Sequence, residues 1–214
     1  MIDRPTSAMI DRYRFKLAET PEEIEAIQQL CYRTFVVEIK QHPDPGSGRL
    51  VDKFHAKNHY LIGLRQGRVC GTVAVHDRPP FSVSAALARP EVLERLSPHL
   101  LEIRLLAIEP EERCQMLFAG LIWSIYGYAA AGGHRYLAIS GLHERQAMYE
   151  KMGFRPLGAP VRRGQADFVP MLADLDDLPE HAGQTLERFK RRQSRIGGRR
   201  LMGFADRRQP GQSR

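Results

Sequence analysis

Two kinds of apolar spacing divide most of the chain into predicted strands and helices. Alternating or continuous apolar residues predict strands, whereas apolar residues three or four positions apart predict helices. Thr20, Pro21 and Glu23 form a helix start, with an N-cap, a proline at the first helical position and a glutamate at the third. The predicted elements are strand 13–17, helix 20–35, strands 59–64, 68–76 and 100–108, helix 111–132, strand 136–140, helix 143–152 and strand 167–172. This order predicts an α/β (α+β) protein with a mixed sheet and helices on both faces.

Charge is distributed unevenly along the chain. Residues 181–214 hold ten Lys and Arg against two acidic residues, a net charge of +8, whereas residues 1–180 carry −1. The basic character therefore belongs to the tail and is no argument for nucleic-acid binding by the domain. We expect a disordered leader over 1–11, one domain over 12–173 and a basic, partly disordered tail over 174–214.

Several classes of protein are disfavoured by what the pattern lacks. No apolar run is long enough to span a membrane and no signal peptide is recognisable, so we expect a cytoplasmic protein. Cys31, Cys70 and Cys114 are far apart, which argues against a disulfide framework and predicts small buried side chains. His55 and His59 are four residues apart but lack a third ligand, so we expect no metal site.

The most informative segment is 143–154, which follows the predicted long helix and strand. Gly153 can end its short helix in the left-handed conformation, and Phe154 can then begin the next strand. The run from Tyr149 to Phe154, Tyr-Glu-Lys-Met-Gly-Phe, resembles the acyl-CoA-binding core of GNAT-type N-acyltransferases. The resemblance covers about 12–173 and implies a mixed, mostly antiparallel sheet. It also implies that Tyr149 protonates the departing thiolate.

The donor-binding part of the GNAT pattern is only partly retained. In typical members the strand corresponding to 101–108 lends backbone groups to pantetheine, which here implicates Leu106, Ala107 and Ile108. A glycine-containing loop then cradles the CoA pyrophosphate with free N–H groups. The aligned stretch 113–118 keeps Arg113, but Met116 and Phe118 stand at the two glycine positions and should crowd a pyrophosphate.

Two related groups lack the glycine loop and often take the acyl group from acyl carrier protein. They are the acyl-homoserine-lactone synthases and the long-chain N-acyl amino acid synthases. The segment from Arg33 through Phe35 to Glu38, with Asp52 after it, resembles their first-helix pattern. The resemblance implies that these four residues, together with Arg104, bind substrate. Solvated surface charge is the alternative for Arg33, Glu38 and Asp52, and a place in the core is the alternative for Phe35.

Glu102 and Arg104 resemble the E-x-R element of the same groups. Both side chains lie on one face of the predicted strand, because residues two apart point the same way. The resemblance implies that Glu102 accepts the amine proton, directly or through water, and that Arg104 holds an acceptor carboxylate or orients the acid. A partly exposed structural salt bridge between them is the alternative.

These residues together predict an enzyme, an N-acyltransferase. It would move an acyl group, expected to be fatty, from acyl carrier protein to a small amine such as an amino acid. One alternative is an acyl-CoA- or acetyl-CoA-dependent acetyltransferase in which Arg113 holds the phosphates. Another is a non-catalytic protein of the same fold that binds an acyl ligand or a partner. No tightly bound cofactor is expected, since the acyl-pantetheine thioester is a cosubstrate.

The basic tail has several candidate roles. It could dock acidic acyl carrier protein, contact an anionic membrane surface, or simply keep the protein soluble. Nucleic acid is the least favoured partner, because no recognised nucleic-acid-binding module is present.

Overall fold

The computed structural model describes residues 13–178. The predicted leader and residues 179–214 of the predicted tail lie outside the described residues. The roles considered for the tail therefore stay predictions, as do the domain boundaries. No helix in residues 13–178 is long and apolar enough to cross a membrane.

An eight-stranded sheet forms the centre of the fold. Its strands are β1 (Arg14–Leu17), β2 (His59–Arg65), β3 (Arg68–His76), β4 (Leu100–Ile108), β5 (Tyr136–Leu142), β6 (Arg155–Pro156), β7 (Val161–Arg163) and β8 (Ala166–Asp174). The strand order is β1-β2-β3-β4-β5-β8-β6, with β7 paired to β8. Only β4 and β5 run parallel; the other pairs are antiparallel. The prediction of a mixed, mostly antiparallel sheet is confirmed.

Helices cover both faces of this sheet. They are α1 (Pro21–Cys31), α2 (Glu91–Leu96), α3 (Gln115–Gly132) and α4 (Gln146–Lys151), and a π-helical segment (Tyr32–Glu38) continues α1. One core packs α3 against the sheet and includes Leu121 and Leu137. A second core packs α1 against the opposite face and includes Leu30 and Ile62. Residues from β4 contribute to both cores, so this strand lies between the two helical layers.

The first helix forms for the reasons that its sequence indicates. The hydroxyl of Thr20 accepts a hydrogen bond from the Glu23 N–H, and the Glu23 carboxylate accepts one from the Thr20 N–H. This reciprocal capping box satisfies two helix-end donors. The helix then buries Ile27, Leu30 and Cys31.

The long helix α3 begins later than its pattern predicts. Residues Pro110–Glu112 form a separate 3-10 turn, and the extended Cys114 is the N-cap. The predicted start at residue 111 is therefore wrong by one helical turn. The helix ends as predicted, with Gly133 in the left-handed conformation at φ +70°.

The hairpin of β7 and β8 is locked to the end of the π-helical segment. Gly164 lies in its turn at φ +61°, and the Gln165 N–H donates a hydrogen bond to the Lys40 carbonyl. A Cβ on Gly164 would lie 2.2 Å from that carbonyl oxygen, so only glycine fits. This contact holds the segment around Lys40, which follows the π-helical segment, against the start of β8.

Candidate active site

The centre of the site is an opening between β4 and β5. The two strands pair only from Leu100 opposite Tyr136 to Ile103 opposite Ile139, although both continue further. Just beyond this point, Leu105 takes φ +51° and the register with β3 shifts, which is a β-bulge. Within residues 13–178, the backbone of β4 from residue 104 onward therefore has no partner strand on its β5 side.

A cavity of about 130 Å³ occupies this opening. Phe35 and Ile39 line it from the π-helical segment on one face of the sheet, and Ile122 and Tyr126 line it from α3 on the other. Because its walls come from both faces, the cavity passes through the gap in the sheet. Most of the remaining wall is apolar and includes residues of β4, β5, α4 and β8.

Tyr149 lies in the cavity wall, where the short helix α4 positions it. Its ring packs on Gly141 of β5, where a Cβ would lie only 2.6 Å from the ring atom Cε2. Burial raises the pKa of Tyr149 and outweighs the opposing effects of a hydrogen bond from the Leu142 backbone and of the Arg145 charge. The phenol is therefore protonated at neutral pH and can donate a proton into the cavity.

Glu102 is completely buried and lies beside the cavity rather than in its wall. Its carboxylate accepts hydrogen bonds from the N–H of Ser82 (2.8 Å), the hydroxyl of Ser82 (2.6 Å) and the N–H of Val83 (2.8 Å). On β3, directly opposite Glu102, His76 places Nε2 2.8 Å from Oε2. Neither ring nitrogen of His76 has an aligned hydrogen-bond partner among residues 13–178.

These contacts keep Glu102 ionised. Burial alone would raise its pKa, but the contact with His76, the hydrogen bonds from Ser82 and the charge of Arg104 lower it further than burial raises it. The three aligned donors and His76 occupy the carboxylate oxygens. A direct approach by a substrate amine would have to displace one of them, whereas the half-buried Ser82 hydroxyl already touches Oε1.

Arg104 lines the cavity and binds Asp52 instead of Glu102. Its guanidinium donates a 2.6 Å hydrogen bond to Asp52 and stacks 4.7 Å from the centre of the Phe54 ring. Asn58 donates a second hydrogen bond to Asp52, at 2.7 Å. The alternative prediction of a partly exposed salt bridge between Glu102 and Arg104 is therefore wrong, because Arg104 pairs with Asp52 and Glu102 is buried. The Arg104 Nε is buried with no hydrogen-bond partner in the described part of the chain.

Two ion pairs join the π-helical segment to the loop that follows β4. Arg33 pairs with Glu109, and Glu38 pairs with Arg113 through both of its carboxylate oxygens. The Arg113 Nε also donates to the Ile108 carbonyl at 3.3 Å. In the sequence, Phe35 lies between Arg33 and Glu38, and its side chain lines the cavity. Arg33 and Glu38 are thus ion-paired rather than simply solvated, and neither lines the cavity.

The start of α3 has no side-chain hydrogen bond from its N-cap residue, Cys114. Cys114, predicted to be buried, is exposed because it stands at the N-cap ahead of the helix. Burial alone would raise the pKa of its thiol, but the nearby Leu117 and Met116 backbone N–H groups and the Tyr13 hydroxyl, 3.7 Å from Sγ, lower the pKa overall. Cys31 and Cys70 are buried as predicted.

The residues predicted to contact pantetheine lie along the unpaired side of β4. Leu106 lines the cavity, while Ala107 and Ile108 pair with β3 opposite Thr72 and Gly71. The strand β5 has already diverged at this level. Their backbone edge on the β5 side therefore faces the gap.

Three residues at the site were not found by sequence reasoning. Gly141 directly follows the predicted strand 136–140, and the signal needed the true end of β5 at Leu142, because a glycine inside a strand indicates close approach of another group. Ser82 and His76 gave no comparable signal, since their role comes from contact with Glu102, which lies 20 and 26 residues away along the chain. Within residues 13–178 no group of three His, Cys, Asp or Glu side chains could hold a metal ion.

Comparison with known proteins agrees with this geometry. The family model described as "N-acyl amino acid synthase FeeM" matches residues 26–174. The solved structure of FeeM, an N-acyl amino acid synthase from uncultured soil microbes, is 16% identical with a TM-score of 0.65, covering 80% of this chain and 97% of that one. No curated protein matches.

Two acyl-homoserine-lactone synthases also share the fold. LasI is 16% identical with a TM-score of 0.61, over 76% of this chain and 89% of that chain. The CoA-dependent synthase BjaI, solved with MTA, is 19% identical with a TM-score of 0.62, over 86% and 90%. These structures show the fold, and the family model shows the family. The chain belongs to the FeeM family of N-acyl amino acid synthases and is a GNAT-type N-acyltransferase that transfers an acyl group to an amine.

Proposed function

We propose that this N-acyltransferase moves a fatty acyl group from acyl carrier protein to the amine of a small acceptor, an amino acid. The observation that carries the proposal is the apolar cavity through the gap between β4 and β5. A thioester at this gap can meet an amine from the opposite face of the sheet. The apolar walls suit an alkyl chain, whose burial contributes about 0.8 kcal/mol per methylene.

The pantetheine arm lies along the unpaired edge of β4 in this proposal. Backbone groups of Leu106, Ala107 and Ile108 hydrogen bond to its amides, as an added strand would. A β4 N–H near the bulge at Leu105 polarises the thioester carbonyl, because fixed donors stabilise the negative charge that develops on that oxygen. The cavity keeps this point away from bulk water, where such donors would be screened.

Two proton transfers complete the reaction. The amine nitrogen attacks the thioester carbon, forming the C–N bond, and the C–S bond then breaks. Glu102 takes the amine proton through the Ser82 hydroxyl, which is 2.6 Å from its carboxylate. Tyr149 gives its proton to the departing pantetheine thiolate.

The acceptor side of the site is built on Arg104. Its unpartnered Nε offers a donor for the acceptor carboxylate, while Asp52 holds the guanidinium in place. Phe35 forms the wall above the acyl chain. Arg33 and Glu38 make no contact with the acceptor in this proposal; their ion pairs hold the loop between β4 and α3, on the donor side.

A CoA donor is a second candidate. It is favoured by the retained Arg113 and by the CoA-dependent synthase BjaI among the proteins with this fold. In that case Arg113 would leave Glu38 and contact the CoA phosphates.

Thiol release from the same acyl group on acyl carrier protein and on CoA, with a pool of amino acids, tests the proposal. We expect faster release from the carrier protein, with an N-acyl amino acid detected by mass spectrometry. Thiol release from acyl-CoA alone would show that the donor is acyl-CoA and not acyl carrier protein. No N-acyl product from either donor with any amine supplied would contradict the proposed reaction.

A further inference from the structure

We infer that Glu38 excludes acyl-CoA by occupying the arginine that a CoA pyrophosphate would need. This inference rests on the proposed carrier-protein donor and assigns the choice of donor to one side chain. Glu38 is at the end of the π-helical segment, and Arg113 is in the loop between β4 and α3. The two residues are 75 positions apart in the chain and meet in an ion pair that joins these two segments.

The contact between the two side chains leaves Arg113 little capacity for a ligand. One guanidinium nitrogen donates to the Glu38 Oε1 at 2.7 Å, and the other nitrogen contacts Oε2. The Arg113 Nε donates to the Ile108 carbonyl. A bidentate pair of this kind has the geometry with which arginine also binds phosphate, so a phosphate and Glu38 compete for the same face.

The backbone at the start of α3 offers no replacement. No glycine is present between residues 113 and 118 to admit a phosphate close to the backbone. The arginine is therefore already engaged within the chain, and the helix start lacks the glycine that would let a phosphate approach its backbone closely.

Charge gives the pair its selectivity. CoA would bring a pyrophosphate next to the Glu38 carboxylate, and like charges in contact are a strong penalty against the wrong ligand. An acyl carrier protein presents its pantetheine on a single phosphodiester carried by the partner protein. That donor needs no second phosphate site in this loop.

The test compares Glu38→Gln with the wild type on three donors that carry the same acyl group: acyl-CoA, acyl carrier protein and acyl-pantetheine, which has no phosphate. We expect kcat/KM for acyl-CoA to rise about tenfold, with the other two donors changed less than about twofold. Free CoA should also bind Glu38→Gln more tightly in calorimetry. The added substitution Arg113→Ala should remove both gains.

Glu25→Gln is a matched control. Glu25 lies on α1, directly before the π-helical segment, and forms an ion pair with Arg49. The exposed fractions are 45% and 47% for that pair and 47% and 43% for Glu38 and Arg113. This control should leave all three donors unchanged.

An equal gain with acyl-pantetheine would show a wider channel and overturn the inference. So would a gain that survives Arg113→Ala, or no gain for acyl-CoA while the wild type remains active with acyl carrier protein. If the wild type already uses acyl-CoA as well as acyl carrier protein, the exclusion itself is wrong. A wild type that forms no N-acyl product from any donor would instead contradict the proposed function, which separates the two failures.

Discussion

A methyl group added at Gly141 should disable the enzyme by moving Tyr149. The new Cβ would lie 2.6 Å from Cε2 and 2.7 Å from Cδ2 of the Tyr149 ring. Carbon atoms pack at about 3.5–4.0 Å, so the ring must retreat by about 1 Å. The backbone of Gly141 is not in the left-handed region, so alanine can adopt its conformation without strain. The clash with the Tyr149 ring is therefore the effect that the substitution tests.

The magnitude follows from the position of the hydroxyl. A misplacement of about 1 Å in a reacting group costs about 100-fold in rate. We therefore expect kcat of Gly141→Ala to fall about 100-fold in steady-state thiol release. Tyr149→Phe keeps the ring but lacks the proton donor, so adding Gly141→Ala to it should lower kcat only slightly further.

Gly158→Ala is a suitable control. A Cβ on Gly158 meets its nearest atom, Cγ of Pro170, at an ordinary 3.6 Å, so its rate and thermal midpoint should stay close to wild type. The reasoning would be refuted if a folded Gly141→Ala kept kcat within about threefold of wild type. It would also be refuted if the two substitutions multiplied their effects as independent sites do.

Three further predictions follow from contacts around the site. Because the raised pKa keeps Tyr149 protonated, Tyr149→Phe should lower kcat by a constant factor from pH 6 to 9, and a loss confined to the alkaline end would contradict its role as acid. Because the pKa of Glu102 is lowered in the folded protein, its ionised carboxylate stabilises the fold above its unfolded pKa of 4.5, and this stabilisation is lost as the pH falls through the folded pKa. In urea unfolding, Glu102→Gln should therefore lose less stability below pH 4.5 than wild type does. Equal losses of stability with falling pH would show that Glu102 is not responsible. Gly164→Ala combines a φ of +61° with the 2.2 Å approach to the Lys40 carbonyl, so it should lower the free energy of unfolding by about 2 kcal/mol or more, and a urea midpoint equal to wild type would rule out a rigid hairpin contact.

The strands and long helices could be predicted because each carries its own pattern. β4 has the predicted bounds of Leu100 and Ile108, and its continuous apolar run explains why. The capping box at Thr20 likewise fixes the start of α1. The strand expected to begin at Phe154 is β6, which starts one residue later at Arg155, whereas β7 was missed because three residues are too short to show alternation.

The site was predicted less completely because its contacts join distant parts of the chain. Spacing places Glu102 and Arg104 on one face of β4, but it does not indicate that Ser82 and His76 enclose Glu102. Asp52 could be selected from the resemblance, whereas its ion pair with Arg104 depends on the path of an irregular loop. The catalytic and binding roles of these residues stay predictions.

One measurement tests the central claim most directly: the product formed in a single turnover from acyl carrier protein carrying a fatty acyl group, with amino acids as acceptors. The account predicts an N-acyl amino acid by mass spectrometry, with one free pantetheine thiol per product. It also predicts a much slower single turnover for Tyr149→Phe. Wild-type protein that leaves the acyl group on the thioester, or a Tyr149→Phe variant as fast as wild type, would contradict the proposed chemistry at the gap between β4 and β5.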